Sequence, residues 1–427
     1  MTIENKKKSL KKTINVGVAG SIETDTGQKT QTLIEQVNSL KNLRVKMFYN
    51  KNCDVARNIL QNANLLKDSV YISHSGKSHL ASGIVYTDNS EIFVGNDEID
   101  IYIVTEINAK DASEIIYNCL NTGKLVVNLN AISEATLGVI FKEIASCNDT
   151  IYSVGAGDEP AVTLDLINYC RMLGLEIICA GKGKNNPLNI YSNPDDFIKK
   201  SNEIDVSPYL LASFVDGTKT MLEMAILSNA ADIPIDIDGM HGPEANIRDL
   251  VRIFDLKSKG GILNKYNIID YAIGDIAPGV FVIFTSRQAS IIKELQYLKM
   301  GTGPNFILFK PYHLGNIESP LSIYDIVLNK KPTLTANDKF RTMVAARAKK
   351  NLSAGTTLDF SGGYSFSGYA IDFQKFVKNN YAPLGLIEGS ILKENVVKDE
   401  IITFSKIDKY KSTCLYNLWE KQIKILK

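Results

Sequence analysis

The sequence contains few cysteines, histidines and tryptophans, and it has almost no net charge. Among its 427 residues are six cysteines, four histidines and one tryptophan, and 48 basic against 47 acidic residues leave a formal net charge of +1. A chain with so small a net charge has no overall field to attract nucleic acid or an anionic membrane surface. We therefore expect neither as a partner.

The cysteines are scattered and form no C-x-x-C pair. Such spacing favours buried, reduced thiols in a cytoplasmic protein over a disulfide framework. No apolar stretch approaches the roughly 20 residues of a membrane-spanning helix. The basic N-terminal segment lacks the apolar core of a signal peptide, so we interpret it as a solvated tail.

The length exceeds that of one ordinary domain, and 44% hydrophobic with 22% charged residues is typical of a globular protein. Shifts in pattern along the chain divide it into five parts. We predict a basic tail at 1–12, a dinucleotide-binding domain at 13–150, a catalytic domain at 151–335, a small β-rich domain at 336–409 and a C-terminal helix at 410–427.

Short apolar runs alternate with amphipathic stretches through the first 150 residues. This alternation predicts an α/β fold with a parallel sheet of Rossmann type, covered by helices on both faces. Strands are expected at 13–20, 44–49, 99–104 and 124–129, and helices at 28–40, 55–65, 112–120 and 135–145.

A glycine-containing turn follows the first predicted strand, but it does not match G-x-G-x-x-G. Gly17 and Gly20 are suited to a strand-to-helix turn whose N–H groups receive a pyrophosphate. Glu23 and Asp25 place negative charge where that group belongs. Lys51, after the second strand, supplies a cation suited to a 2′-phosphate, so a bound dinucleotide is expected to be NADP(H) rather than NAD(H).

Asp158 and Glu159 are adjacent carboxylates between a glycine pair and Pro160. Acids and a proline at this position also form an ordinary helix start. The functional interpretation is a pair of oxygen ligands for Mg²⁺ or Mn²⁺, or an acid–base pair. The sequence leaves both interpretations open.

Further polar residues follow at the ends of predicted strands and helices. The segment 181–187 is expected to be a loop in which Lys182, Lys184, Asn185 and Asn186 bind phosphate and hydroxyl groups, with Asn189 close by. A solvated basic loop is the alternative.

Asp216 precedes a predicted helix on which Lys219 and Glu223 share a face, an arrangement that an exposed ion pair also explains. His241 and His313 lie in glycine- or proline-bounded turns. Such histidines are either catalytic or structural.

Taken in order, several segments resemble the second class of 1-deoxy-D-xylulose 5-phosphate reductoisomerase-like proteins, relatives of homoserine dehydrogenase. The resemblance extends over about 13–408 and rests on the following segments. They are YSVGAGDEP (152–160), AGKGKNNPLN (180–189), FVDGTKTMLEMA (214–225), GMHGPEA (239–245), APGVFVIF (277–284), KPYHLGNIESPL (310–321) and AKKNLSAGTTLD (348–359).

The resemblance implies a Rossmann domain, a catalytic domain and a C-terminal SAF (β-clip) domain. It also implies an NADP-dependent isomero-reduction of a ketose phosphate to 2-C-methyl-D-erythritol 4-phosphate, a reaction of isoprenoid biosynthesis. The implied roles are as follows: metal ligands at Asp158, Glu159 and Glu223; catalytic groups at Asp158, Glu159, Lys182, Asp216, Lys219 and His241; substrate ligands at Lys184, Asn185, Asn186, Asn189 and His313; cofactor contacts at Gly17, Gly20, Lys51 and Asn130.

The departures from that family lie in the first domain. Its glycine motif is broken after Gly20, and its N-V-E-A-D stretch corresponds to residues 130–134, where Ile132 replaces the glutamate. Two interpretations remain. The first is an NADP-dependent oxidoreductase, a homodimer or higher homo-oligomer, acting on a sugar phosphate or related sugar acid. The second is a non-redox protein that binds a carbohydrate through its catalytic and SAF domains.

Overall fold

The computed structural model describes residues 12–20, 27–73, 83–105, 108–204, 206–408 and 413–426. Glu23 and Asp25, on which the electrostatic objection to a pyrophosphate depends, lie outside these residues. The predicted α/β fold class is confirmed. Within the described ranges, none of the helices has the length and apolar content needed to cross a bilayer.

The first sheet has seven strands in the order β3-β4-β2-β1-β5-β6-β7, and every neighbouring pair is parallel. The strands are β1 (Ile14–Ala19), β2 (Leu43–Tyr49), β3 (Ser69–Tyr71), β4 (Ile84–Thr87), β5 (Ile101–Val104), β6 (Leu125–Asn128) and β7 (Tyr152–Val154). The central strands are short apolar runs because helices cover both faces. The strand order reverses between β1 and β5, and ligands bind outside the carboxyl ends of strands at such a point.

Five described helices flank this sheet: α1 (Gly27–Ser39), α2 (Cys53–Asn62), α3 (Ser90–Val94), α4 (Ala109–Asn121) and α5 (Ala131–Cys147). Four of them start at an asparagine whose side chain accepts hydrogen bonds from backbone N–H groups of the first turn. These caps are Asn52, Asn89, Asn108 and Asn130. Only two residues separate the end of β6 from the start of α5, so this helix begins close to the carboxyl edge of the sheet.

The second sheet has four strands in the order β11-β10-β8-β9. They are β8 (Glu176–Lys184), β9 (Ile268–Ile273), β10 (Val280–Thr285) and β11 (Phe306–Lys310). Strand β8 pairs parallel with β9, whereas β10 runs antiparallel to β8 and β11. Helices α6 (Glu159–Met172), α7 (Ile198–Ile204), α8 (Pro208–Val215), α9 (Thr218–Ala231), α10 (Leu250–Ile253), α11 (Ala289–Tyr297) and α12 (Pro320–Asn329) belong to this part of the chain.

Helix α9 lies in the middle of the molecule, because nearly all of its residues are buried. It contacts α6, the second sheet and the β-rich region that follows. Helix α12 returns to the first sheet and adds Ile323 and Ile326 to the core beneath β1. The predicted boundary at 150 therefore cuts across the first sheet, which extends to Val154 and is also packed by α12.

The last part of the chain contains β12 (Thr342–Ala348) and β13 (Phe366–Asp372), an antiparallel pair, with α13 (Phe373–Lys378) and α14 (Cys414–Leu426). Single bridges such as Arg347 with Ile401 and Leu352 with Val396 fold residues up to 408 around this pair. Helix α14 packs on α4 and α5 and buries Trp419. These segments lie where the sequence predicts a small β-rich domain, and we refer to residues 336–408 as the β-rich region.

Candidate active site

A cavity of about 850 Å³ opens at the carboxyl edge of the first sheet and extends to the second sheet. Its wall includes Thr105 after β5 and Asn128 at the end of β6 on one side, and residues of β8 and α9 on the other. Many of the predicted site residues line it: Asn130, Asp158, Glu159, Lys182, Lys184, Asn185, Asn186, Lys219, Glu223 and His313. The fold thus brings together residues that lie up to 183 positions apart, from 130 to 313.

Lys182 lies between two buried carboxylates at the centre of this cluster. Its Nζ donates to Glu159 Oε1 at 2.5 Å and to Glu223 Oε2. Burial disfavours the ammonium, but the two carboxylates outweigh burial and raise the pKa of Lys182. Burial and Glu223 act to raise the pKa of Glu159, yet Lys182 and its other partners hold that pKa below its ordinary value. The lysine and Glu159 are therefore both charged at neutral pH.

Lys219 links Glu223 to Asp158. Its Nζ lies 3.1 Å from Glu223 Oε1 and 3.9 Å from Asp158 Oδ2. The alternative of an exposed surface pair is wrong, because the Glu223 side chain is 0% exposed and that of Lys219 is 18% exposed. Burial raises the pKa of Asp158, and Lys219 offsets this only in part. Asp158 accordingly takes up a proton more readily than Glu159, whose pKa is lowered.

Asp158, Glu159 and His313 fit a divalent metal, since each offers one ligand atom and these atoms lie within 4.8 Å of one another. His313 Nδ1 lies 2.8 Å from the carbonyl oxygen of Pro278, which can only accept, so this nitrogen carries the proton. Nε2 lies 3.6 Å from Glu159 Oε2, and in the neutral imidazole it is the nitrogen that offers a lone pair to a metal. A histidine oriented through its other nitrogen is typical of metal ligands.

The sequence predicted Glu223, and not His313, as the third metal ligand, and both assignments stay predictions. Glu223 is instead held by Lys182 and Lys219.

The expectation of a basic loop at 181–187 is wrong for its first four residues. Strand β8 continues to Lys184, with Lys182 paired to Tyr271 of β9 and to Val280 of β10. A Cβ at Gly181 would lie 1.7 Å from the carbonyl oxygen of Asp270, so this glycine serves close strand packing rather than a turn.

Lys184 ends the strand at the cavity wall. Its Nζ donates to the carbonyl oxygen of Asn186 at 2.6 Å. Burial and then the neighbouring charge of Lys182 lower the pKa of Lys184 to about 8. Lys184 therefore changes charge close to neutral pH, in contrast to Lys182.

Close packing explains why positions 17 and 20 are glycines. Gly17 lies inside β1 rather than in the turn, and a Cβ there would meet the Tyr102 ring at 2.9 Å. A Cβ at Gly20 would lie 2.7 Å from both Thr105 Oγ1 and Thr30 Oγ1. Gly20 thus permits the end of β1, the start of α1 and the end of β5 to meet at the switch point of the sheet.

The other predicted cofactor residues have different positions. Asn130 lines the cavity and caps α5 through its side-chain oxygen, which accepts from Ser133 N at 2.8 Å. Lys51 follows β2, is 64% exposed and forms an ion pair with Asp111 at 2.6 Å. Lys51, the cation predicted to bind a 2′-phosphate, is thus paired with Asp111, which would compete with that phosphate for the lysine.

Glu134 is a cavity residue that sequence reasoning did not assign to the site. It lies in the first turn of α5, is 3% exposed and accepts a hydrogen bond from the Tyr152 hydroxyl. Asn128 Nδ2 donates to that hydroxyl at 2.8 Å. Burial raises the pKa of Glu134 to about 7. Glu134 lies two residues after Ile132, the position at which the resembling family has a glutamate. This proximity could have indicated Glu134 as a site residue.

Three of the predicted catalytic and substrate-binding residues do not line the described cavity. His241 Nδ1 lies 2.9 Å from Asp270 in a buried pair that raises the pKa of His241. Asp216 binds Lys349, which lies in the β-rich region. Asn189 accepts from the backbone of Tyr191 and stays within its own turn. The proton-transfer role expected for His241 is therefore not supported by its position.

Comparison with known protein families identifies a match in the middle of the chain. Residues 157–319 match the family model described as "Oxidoreductase DRL, catalytic domain". This segment contains the whole Asp158–Lys182–Lys219–His313 cluster and covers well under half of the chain. The middle region is thus similar to an oxidoreductase catalytic domain, in agreement with the enzyme class expected from the sequence. A comparison with curated proteins finds no match.

Several solved structures share the general architecture at low similarity. Scyllo-inositol dehydrogenase from Lactobacillus casei, with bound NAD(H) and scyllo-inositol, is 11% identical with a TM-score of 0.37 over 65% of this chain and 75% of that one. GenD2 from gentamicin A biosynthesis, in complex with NAD, is 8% identical with a TM-score of 0.40 over 75% and 88%. An oxidoreductase from Bacillus cereus is 10% identical with a TM-score of 0.38 over 75% and 90%. Similarities of this size do not bear on the activity.

Proposed function

We propose that the protein is an NADP(H)-dependent oxidoreductase that uses a divalent metal and acts on a small sugar phosphate or related sugar acid. The observation that carries the proposal is the position of the Asp158–Glu159–Lys182–Lys219–His313 cluster. It lies in the same cavity as the carboxyl edge of a Rossmann-type sheet, where a dinucleotide binds in this fold class. Chemistry that needs a hydride donor beside a polarised carbonyl requires that arrangement.

The cavity offers an anionic substrate a cationic wall. Lys184, Asn185 and Asn186 follow one another at the end of β8 and all line the cavity. The lysine supplies charge, while each amide both donates and accepts hydrogen bonds. A phosphate or carboxylate next to Lys184 would favour its ammonium form and raise its lowered pKa. This wall supports a phosphorylated or acidic sugar as substrate class.

When bound, NADPH supplies a hydride and a divalent metal polarises the substrate oxygens. The chain's own contribution is positional and electrostatic. Asp158, Glu159 and His313 would hold the metal, and the Pro278 carbonyl keeps His313 Nε2 free for it. Lys182 keeps Glu159 ionised despite its burial.

Lys219 would donate or accept a proton at a substrate oxygen near Asp158, because its Nζ lies 3.9 Å from Asp158 Oδ2. Its Nζ is shared between Asp158 and the buried Glu223, which orients it towards the cavity. A positioned proton donor of this kind typically contributes about 10²–10⁴-fold to a rate.

The finer proposal is a reductoisomerase reaction on 1-deoxy-D-xylulose 5-phosphate. Such a reaction needs a Lewis acid across a ketone and its neighbouring hydroxyl, a phosphate clamp and a hydride donor. The carboxylate–histidine group, the Lys184–Asn186 wall and the sheet edge supply one element each. The resemblance of segments 152–160 and 180–189 to that family supports the same assignment.

Two measurements test the proposal. Fluorescence titration with NADPH and NADH, with and without Mn²⁺, asks whether a nucleotide binds; absence of binding for both would leave the non-redox carbohydrate-binding interpretation. Turnover of the ketose phosphate is then compared in wild type, Asp158→Asn, Lys219→Ala and the control Lys142→Ala. Lys142 forms an exposed pair with Asp338 away from the cavity. We expect losses of about 10²-fold or more in the first two variants only; near-wild-type rates in both would defeat the scheme.

A further inference from the structure

The helix that carries Lys219 and Glu223 is held at its N-terminus by the β-rich region. Asp216 immediately precedes α9, and its Oδ1 accepts from Thr218 N at 2.8 Å. The other carboxylate oxygen, Oδ2, lies 2.8 Å from Lys349 Nζ. Lys349 directly follows β12, so this ion pair joins two regions of the chain 133 residues apart, from 216 to 349.

The Lys349 side chain is buried in this junction, and oxygen atoms surround its ammonium group. Its side chain is 3% exposed, and the Asp216 side chain is 0% exposed. Lys349 Nζ donates to the carbonyl oxygens of Ser192 at 2.5 Å and Gly363 at 2.6 Å and forms the ion pair with Asp216. The buried ammonium group thus faces three oxygen atoms, which offset the cost of removing it from water.

A second contact fixes the same turn. The backbone N–H of Gly368, in β13, donates to Thr218 Oγ1 at 2.8 Å. A Cβ at Gly368 would lie 3.1 Å from Thr218 Cγ2, so β13 packs directly on the first residue of α9. Gly217 has φ +87°, a left-handed conformation suited to glycine, and it sets the angle at which α9 starts.

We propose that Lys349 is a positioning residue for the catalytic cluster. Through Asp216 it fixes the first turn of α9, so that Lys219 reaches Asp158 and Glu223 reaches Lys182. The β-rich region is then an integral part of the active site rather than a separate module. The kinetic side of this inference rests on the proposed function, whereas the placement of Lys219 does not.

Asp216 is close in sequence to the two residues that it is proposed to position, so a displacement of its turn should change the reaction rate measurably. Lys219 lies three residues after Asp216, and Glu223 lies one helical turn further on. A displacement of about 1 Å at reacting groups can cost about 10²-fold in rate. Removing the Lys349 ammonium leaves Asp216 as a buried carboxylate without its cation, which is relieved by movement of the turn towards water or by uptake of a proton, and either change weakens the junction.

The test variant is Lys349→Met, and the matched control is Ser228→Ala. Ser228 Oγ lies 2.7 Å from Thr342 Oγ1 and so joins the same helix to the same region near its other end. Both variants remove one contact between α9 and the β-rich region, but only the first acts on the turn before Lys219. Lys349→Met combined with Asp216→Asn removes both charges and keeps a side-chain acceptor for Thr218 N. If the single variant does not fold, the double variant is used for the same measurements.

Competitive acetylation with peptide mass spectrometry reports the environment of Lys219 without any turnover. We expect Lys219 to react severalfold faster in Lys349→Met or in the double variant, relative to Lys142 in the same sample, and at the wild-type rate in Ser228→Ala. Under turnover, kcat should fall about tenfold or more with a smaller change in KM. Wild-type Lys219 reactivity and kcat in folded Lys349 variants would overturn the inference. If wild type itself shows no turnover, the proposed function fails while the acetylation result still decides the positioning.

Discussion

Lys182 Nζ lies 2.5 Å from Glu159 Oε1, although the lysine comes from strand β8 and the glutamate from the first turn of α6. Both side chains are less than 10% exposed. The second carboxylate oxygen of Glu159 faces His313 Nε2 at 3.6 Å. Glu159 thus joins a lysine that stabilises its charge to a histidine with which it can bind a metal.

Replacing Lys182 should destabilise the protein in a pH-dependent way. Lys182→Met leaves Glu159 and Glu223 as buried carboxylates without their shared cation, which typically costs about 3–5 kcal/mol. The pKa of Glu159 is lowered in the folded protein, so the stability that it contributes in wild type is lost only as the pH falls below its ordinary pKa near 4.5. In the variant, the two buried carboxylates lack a cation and can be relieved by taking up protons as the pH falls. We therefore expect a large loss in urea unfolding at pH 7.5 and a smaller one near pH 4.5.

The control for Lys182 is Lys142→Met, which removes an exposed ion pair with Asp338. Such pairs are worth about 0–1 kcal/mol, so its unfolding should follow wild type at both pH values. Equal effects of the two variants would contradict the assignment of Lys182 to a buried triad.

Metal binding should depend on His313 and be independent of His241. A site with two carboxylates and one imidazole suits Mn²⁺ better than Mg²⁺, because the imidazole is a nitrogen ligand. Calorimetric titration with Mn²⁺ should show one site in wild type and roughly 10–100-fold weaker binding in His313→Gln and in Asp158→Asn. His241→Gln should bind as wild type does, since His241 is paired with Asp270. Undiminished affinity in both cavity variants would rule out this ligand set.

Much of the site could be predicted from local sequence, because charged residues at helix and strand ends are visible as short segments. Asp158, Glu159, Lys182 and Lys184 were found in this way. What local sequence cannot indicate is that Glu223 lies between Lys182 and Lys219, since this depends on how α9 packs against β8. The same limit explains the two histidines, which look alike as turn residues yet lie in different surroundings.

The same distinction holds for the fold, in which long buried strands could be predicted from the sequence and short strands could not. Strands buried on both faces, such as β1, β2, β5 and β6, appear as apolar runs and were predicted close to their observed bounds. The three-residue strands β3 and β7 are too short for any periodicity to be recognised. The end of β8 reads as a loop because Gly181 and Gly183 have low strand propensity, yet backbone packing against Asp270 and Ala277 leaves no space for a side chain.

The nucleotide preference should depend on the balance between Lys51 and Asp111. If Lys51 binds a 2′-phosphate, Asp111 competes for it from 2.6 Å. Lys51→Met should weaken NADPH binding and leave NADH unchanged, whereas Asp111→Asn should strengthen NADPH binding. Because an exposed pair is worth at most about 1 kcal/mol, the second change should be about fivefold or less. Fluorescence titrations of both nucleotides decide this; parallel changes for NADH would show that Lys51 does not recognise the phosphate.

Glu134 should make the protein less stable as the pH rises towards neutrality. Burial raises its pKa from an ordinary value near 4.5 to about 7, so the folded protein keeps a proton that the unfolded chain loses between these values. The unfolded state then binds fewer protons, and the free energy of unfolding falls with rising pH across this window and levels off above it. At 1.36 kcal/mol per pH unit the total is on the order of 3 kcal/mol.

Glu134→Gln removes this titration and keeps an oxygen that accepts from the Tyr152 hydroxyl. The variant should therefore match wild type near pH 4.5 and exceed its stability by up to about 3 kcal/mol above pH 7.5. Urea unfolding between pH 4.5 and 8.5 measures the free energy of unfolding of both proteins at the low-pH and high-pH ends of this range. Glu143→Gln, at an exposed position of the same helix, provides the matched control and should follow wild type throughout. A constant difference between Glu134→Gln and wild type at every pH would show that Glu134 does not hold its proton in the folded protein.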